Sequence, residues 1–463
     1  MTDAERTAGS ERGPDFEPAG RRRSRRTVLA TAGLALSTGL AGCLRAPSAD
    51  GSLAFEHPDA VAVDEPFSMA IEGVPPDATL GIEVEGSGAG RSWSAGTVVG
   101  TTEESLDLDT ATIVDGNDGE NGDDDVPPDL DVPTTLALLQ FADLPFHRFD
   151  LHGEETLTYR VFDGDVELGA TSLHRRHPDP REFEDPDDDG LVGRFYEPPD
   201  GGPAPGVVVL HGSEGELGFV ADVAATLARN GFATLALQYF GAPGLPDALA
   251  EIPLEYVERA VEWVLEQPVV TGERVGAMGY SRGGELALLV GSESDRVGPV
   301  VSIVGSGLVW QGVTATGEVV APWTVDGEPV AYVPPVPGDW DDRALVDVFR
   351  ESLEAASSDE REAATIPVER IDGRVLMVSG AADDLWDATW FQDVSLERLT
   401  EVGHDDHDHL VYEEAGHGIA PPYRPVSGST YSPLYDLGGT EAGNAEAAHD
   451  HWPAVLETLS TLE

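Results

Sequence analysis

The stretch from Gly206 to the end most constrains the fold, because apolar runs of strand length alternate there with segments of helical period. "GVVVLHG" is a continuous apolar strand ending in a turn, and "GFVADVAATLARNG" follows with helical spacing and a terminal Gly. The strand "FATLALQYF" and the helix "LEYVERAVEWVLEQP" repeat the unit, with Leu254, Val257, Val261 and Val264 on one helical face. "RVGAMGY", "VGPVVSIVGSG", "RVLMVSG" and "HLVYEEAGHG" read as further strands, and "AEAAHDHWPAVLETLSTL" as a closing helix. Strands apolar on both faces and separated by helices predict an α/β fold with a doubly wound, mostly parallel sheet.

The preceding residues follow a different period. Positions 156–161 and 166–173 alternate apolar with polar around a turn at Asp163-Gly164. Together with other brief apolar runs they predict a small all-β sandwich over 53–180. Segment 181–205 reads as a linker and 206–463 as the α/β catalytic domain. The acidic loop 115–133, "DGNDGENGDDDVPPDLDVP", has little to bury.

The N-terminus reads as an address. "RRRSRRTVLATAGLALSTGLAGC" places Arg25 and Arg26 before a short, uncharged run of small residues, 27–42. Such a run is too short for a comfortable membrane span and is flanked like a twin-arginine export signal. It ends at Cys43, the only cysteine of the chain, in a lipobox-like Leu-Ala-Gly-Cys. Residues 1–42 are therefore expected to be a removable signal, Cys43 a lipidated anchor at the outer face of the membrane, and 43–52 a tether. An incidental cysteine after a fortuitous apolar run, in a cytoplasmic protein, is the alternative.

The formal net charge is −59, and all 27 basic residues are Arg. A surface this acidic repels nucleic acid and anionic headgroups, so neither is an expected partner, and membrane contact is expected by the anchor alone. The composition reads as adaptation to high salt, where cations screen the self-repulsion.

Chemistry concentrates at strand-to-helix turns on the carboxyl edge of such a sheet. Gly279-Tyr280-Ser281-Arg282-Gly283 lies at one of them, between a legible strand and a legible helix. Glycines two residues either side let the chain turn sharply enough to expose Ser281 as a nucleophile. The alternative is a glycine-rich structural turn. The elbow arrangement places an acid and then a histidine downstream. Asp383 follows the strand "VLMVSG" by three residues, with Asp384 as the second choice, and His417 lies between Gly416 and Gly418 after a later strand. In "LHGSEGEL" the backbone N–H of Ser213 is expected to pair with that of Arg282 as an oxyanion hole, and His211 to brace the loop.

These segments resemble the acyl-CoA thioesterases related to bile acid-CoA:amino acid N-acyltransferase, whose catalytic half is similar to dienelactone hydrolase. The stretches carrying the resemblance are "DEPFSMAIEGVPPDATL", "NGFATLALQYF", "LEYVERAVEWVLEQPVV", "GYSRGGELALL", "IPVERIDGRVLMVSGAADDLW" and "AGHGIAPPYRP". The leader and acidity together resemble a haloarchaeal exported lipoprotein. The family resemblance implies a β-sandwich half before an α/β-hydrolase half, with Ser281, Asp383 and His417 as nucleophile, orienting acid and general base. The acyltransferase branch uses Cys as nucleophile, so Ser points to hydrolysis of an acyl thioester. No cofactor and no metal are expected.

An exported enzyme meets a different pool of substrates from that of the cytoplasm. A carboxylesterase acting on a non-CoA ester is therefore the second reading; for the acyl-CoA reading, Arg282, Arg343 and Arg424 are individual candidates for contacting the CoA phosphates. A non-catalytic, lipid-anchored binding protein is the third. Two acidic clusters resemble metal sites. "DPDDDG", 185–190, opens like a calcium loop but has Tyr196 where the bidentate Glu belongs, and "HDDHDH", 404–409, reads as a salt-solvated hairpin.

Overall fold

The computed structural model describes residues 53–88, 91–114, 126–127, 130–144, 154–176, 181–183, 190–338, 340, 343–432 and 435–462. The signal 1–42, Cys43, the tether 43–52, and most of the loops 115–133 and 185–190 lie outside the described residues.

The N-terminal part builds two sheets around one core. A three-stranded sheet runs β1 (Ala54–Glu56), β3 (Ala70–Glu72), β6 (Ser105–Asp107). A six-stranded sheet runs β2 (Ala60–Ala62), β9 (Val166–Arg176), β8 (Glu154–Asp163), β4 (Thr79–Gly88), β5 (Arg91–Gly100), β7 (Thr112–Ile113). Period-two alternation turns Leu80, Ile82, Leu157 and Tyr159 inward, where they meet Ile71 and Leu106 of the smaller sheet. The all-β expectation needs one correction. Helix α1 (Thr134–Gln140) is buried along its whole length and adds Leu138 and Leu139 to that core.

The second part is an eight-stranded sheet in the order β10 (Arg181–Phe183), β11 (Val192–Tyr196), β13 (Ala233–Gln238), β12 (Ala204–Leu210), β15 (Val270–Tyr280), β16 (Val297–Ile303), β19 (Val375–Gly380), β20 (His407–Tyr412). From β13 to β20 neighbouring strands are parallel, and β10 and β11 join antiparallel. Segment 181–205 is therefore not a linker. It carries β10 and β11 and the start of β12, because Phe195 and Tyr196 bury against the sheet's two cores.

Helices α2 (Gly218–Arg229) and α8 (Glu441–Leu459) cover one face, and α3 (Leu254–Leu265) and α4 (Arg282–Glu293) the other. Between β16 and β19 the chain forms β17 (Trp323–Val325), β18 (Glu328–Pro329), α5 (Leu345–Ala355) and α6 (Ser358–Ala364). A small sheet, β14 (Ile252–Pro253) with β17 and β18, clips this excursion to the start of α3. Helix α7 (Ala388–Val402) then leads to β20. Among the described residues no helix is long and apolar enough to cross a membrane.

The two parts share contacts. Arg229 pairs with Asp64, and Asn230 Nδ2 donates to Asp64 Oδ2 at 3.1 Å. Gln140 Nε2 donates to the carbonyl of Ala445 at 3.0 Å, and Val426 N donates to the carbonyl of Gln140 at 2.7 Å.

Candidate active site

β15 delivers Ser281 to the N-terminus of α4 in a conformation that few non-glycine residues adopt, φ 55° and ψ −121°. The turn is tight enough that a side chain at Gly279 would overlap the Gly283 carbonyl, and one at Gly283 would overlap the Leu210 carbonyl. Ser281 N donates to the Ile303 carbonyl at 2.9 Å, which ties the turn to β16.

Asp383 lies three residues past β19 and is 4% exposed. Its Oδ1 accepts from the N–H groups of Leu385 (3.0 Å) and Trp386 (3.1 Å), and its Oδ2 meets His417 Nδ1 at 2.7 Å. Burial raises the Asp383 carboxyl above its ordinary range, with His417 and the two N–H groups opposing. A carboxylate there holds the Nδ1–H tautomer and leaves Nε2 as the basic nitrogen. His417 sits edge-on to Trp386 with ring centres 6.0 Å apart, and its N–H donates to the Leu437 carbonyl at 2.7 Å. Gly416 N donates to Asn444 Oδ1 at 3.0 Å and so hangs the histidine loop on α8.

Ser281 and His417 line one cavity of about 1050 Å³, together with Ser213 and Arg282. Its apolar wall comes from Phe349, Trp386, Val304, Ile419 and Leu345. Asp384, the second candidate acid, lines a neighbouring cavity instead. His211 is fully buried and stacks on Tyr239, 4.0 Å between ring centres at 3°. Its Nδ1 donates to the Gly212 carbonyl at 2.8 Å, and Nε2 faces the Tyr239 N–H at 3.4 Å, so the ring braces the turn beside Ser281. Burial lowers its pKa to about 4 and keeps it neutral.

Two residues of the site, Glu214 and Glu285, are not among those expected above, and the Arg282 side chain is not turned out toward a ligand as a phosphate contact would require. Glu214 lines the cavity, and its Oε1 accepts from Gly212 N at 3.1 Å. Burial pushes its carboxyl up. The Arg282 side chain is buried and points away from solvent, donating to the carbonyls of Trp310 (3.0 Å) and Gln311 (3.1 Å) and pairing with Glu285 at 3.1 Å. Glu285 also accepts from Trp310 N (3.2 Å) and Trp323 Nε1 (2.7 Å), and burial pushes its pKa up to about 7. This cluster fastens the first turn of α4 to the excursion that forms part of the cavity wall. The signal in the sequence is the single charged residue within "GGELALLVG".

The hairpin expected at 404–409 is instead half strand. His407–Tyr412 forms β20, whose alternation turns His409 inward to 2% exposure. Its Nε2 meets Ser379 Oγ at 2.8 Å and its Nδ1 meets Asp393 at 3.1 Å. This buried Ser–His–Asp set lies apart from the cavity. Arg374 reaches Asp406, Asp408 and Glu457 beside it, so the local acidity is partly matched. Among the described residues no three His, Cys, Asp or Glu side chains are arranged to hold a metal.

Residues 252–461 match the family described as BAAT / Acyl-CoA thioester hydrolase C terminal. Acyl-coenzyme A thioesterase 3 of Mus musculus is 31% identical over 336 residues, covering 69% of this chain and 75% of its own length. Human acyl-coenzyme A thioesterase 1 is 32% identical over 265 residues, 56% of this chain but only 60% of that protein. Bile acid-CoA:amino acid N-acyltransferase of Mus musculus is 30% identical over 278 residues, 58% of this chain and 62% of its own. Among solved structures, a dienelactone hydrolase-like promiscuous phosphotriesterase from metagenomic libraries covers 59% of this chain and 92% of its own. Its identity is 19% and its TM-score 0.35, a likeness that carries no argument by itself.

Proposed function

Because the chain belongs to the family of acyl-CoA thioester hydrolases and bile acid-CoA:amino acid N-acyltransferases, we propose that it is a serine hydrolase of acyl thioesters or esters. One observation carries this reading: the His417–Asp383 hydrogen bond of 2.7 Å beside a cavity that also holds Ser281 on its left-handed turn.

The chemistry runs in two displacements. His417 Nε2 takes the proton of Ser281 Oγ as that oxygen bonds to the acyl carbonyl carbon. The Nδ1–H stays bonded to Asp383, which stabilises the imidazolium. The N–H groups of Ser213 and Arg282 are assigned to the oxyanion, the second of them favoured by the N-terminus of α4. The leaving thiolate or alkoxide departs with the proton from His417. Water then gives its proton to His417, attacks the acyl-enzyme, and frees the carboxylic acid and Ser281.

The test is labelling with a fluorophosphonate in molar KCl, followed by assay with an acyl thioester. Wild type is expected to label and turn over, and Ser281→Ala to lose both, by at least about 10⁴-fold in kcat. An equally active Ser281→Ala variant sinks the mechanism. An exported carboxylesterase is the second reading, favoured by the twin-arginine and lipobox-like stretch at 25–43. We propose export and anchoring through Cys43 on the same stretch. Cell fractionation tests this, since Cys43→Ala should move the protein out of the membrane fraction.

A further inference from the structure

The catalytic cavity is also lined by Glu214, Glu216 and Asp222. A second cavity of about 670 Å³ shares Leu345, Leu385 and Tyr435 with it, so the two adjoin. Its wall holds Trp340 and Arg343, but also Asp384 and Asp436.

Among the described residues, the arginines that reach these walls are Arg194, Arg282, Arg343 and Arg424. Each is engaged within the protein. Arg282 meets Glu285 at 3.1 Å, Arg343 meets Glu351 at 2.6 Å, Arg424 pairs with Asp222, and Arg194 makes an interaction of its own. With Glu285 and Glu351 counted, seven carboxylates accompany these four guanidiniums. Even with Glu214 left out of the count, the carboxylates remain in excess.

Binding of a polyphosphate rests on guanidinium forks or ammonium groups turned toward the oxygens. Here three of the guanidiniums are held by carboxylates of the protein, and Glu214, Glu216, Asp384 and Asp436 belong to the linings of the same two cavities. High salt screens charges beyond about 3 Å at 1 M, which weakens repulsion at a distance. It does not supply the missing contacts.

Resting on the hydrolase reading above, we infer that the group Ser281 expels is uncharged: a thiol or alcohol without phosphates. Trp340 and Tyr435 offer it aromatic surface. The bond from Ser281 Oγ to the acyl carbon forms as the acyl–sulfur or acyl–oxygen bond breaks, and the departing atom takes the proton that His417 received from Ser281.

The experiment compares one octanoyl group carried on N-acetylcysteamine and on CoA, in the same molar KCl buffer. The thioester bond is the same and the phosphates are the difference. The neutral thioester is expected to have a kcat/KM at least about tenfold higher, the scale on which fields in clefts alter encounter. Glu216→Gln with Asp436→Asn should narrow the gap by raising turnover of the CoA ester. Octanoyl-CoA turned over as well as or better than the neutral thioester overturns the inference. Turnover of neither overturns it too, and fluorophosphonate labelling of Ser281 then shows whether the hydrolase reading falls with it.

Discussion

At Ser281 the backbone is held in a left-handed conformation that a serine would not choose alone, so the surrounding contacts hold it there. The flanking glycines announce this in the sequence, and the order of acid and histidine announces Asp383 and His417. What the sequence does not display is which of two adjacent aspartates faces the ring. The N–H groups of Leu385 and Trp386 decide that by capturing Asp383, while Asp384 turns toward the outer cavity. His211 yields a prediction at the same scale. Burial lowers its pKa to about 4. Between roughly pH 6.5 and that value the unfolded chain takes up a proton that the folded chain refuses. Stability is therefore full above pH 6.5 and is lost as pH falls, by about 3 kcal/mol for this group. Urea midpoints measured at pH 7 and pH 5 should show a smaller difference in His211→Gln than in wild type.

Helix α4 shows how an element can be legible while its purpose is not. Its apolar run predicts burial, and it is buried almost throughout. The one charged side chain inside that run, Glu285, is 0% exposed. Its partners are Arg282, one turn away, and two tryptophans distant in the chain, so no local pattern exposes the network. Glu285→Gln leaves the Arg282 guanidinium buried without its counter-charge, which costs about 3–5 kcal/mol. Differential scanning calorimetry should find a clearly lower melting temperature, with KM raised because the cavity wall loses its fastening. An unchanged melting temperature would falsify the assignment. The opposite failure occurs at 404–409, where acidic composition suggests a loop and parallel pairing with β19 makes a strand. The strands β10 and β11 were hidden because they are short and join the sheet antiparallel at its edge.

Over the whole molecule the net charge of −59 sets the solvent in which the fold is comfortable. Self-repulsion among so many carboxylates falls as the Debye length shrinks from about 10 Å at 0.1 M to about 3 Å at 1 M. Melting followed by circular dichroism should rise with KCl across that range by at least about 5 °C, roughly what 5 kcal/mol gives a chain of this size. A melting point indifferent to KCl argues against salt adaptation.

The contact through Gln140 bears on how such a protein can be taken apart. Gln140 bonds Ala445 and Val426, and both belong to the core of the β-rich part. Asn444, next to Ala445, holds Gly416 and hence the loop of His417. Cutting the chain between the two parts would thus strip support from the His417 loop as well as expose apolar surface. For an engineer, the α/β half is not an interchangeable cartridge. A graft or swap that keeps it must bring helix α1 along, or rebuild the floor on which His417 stands.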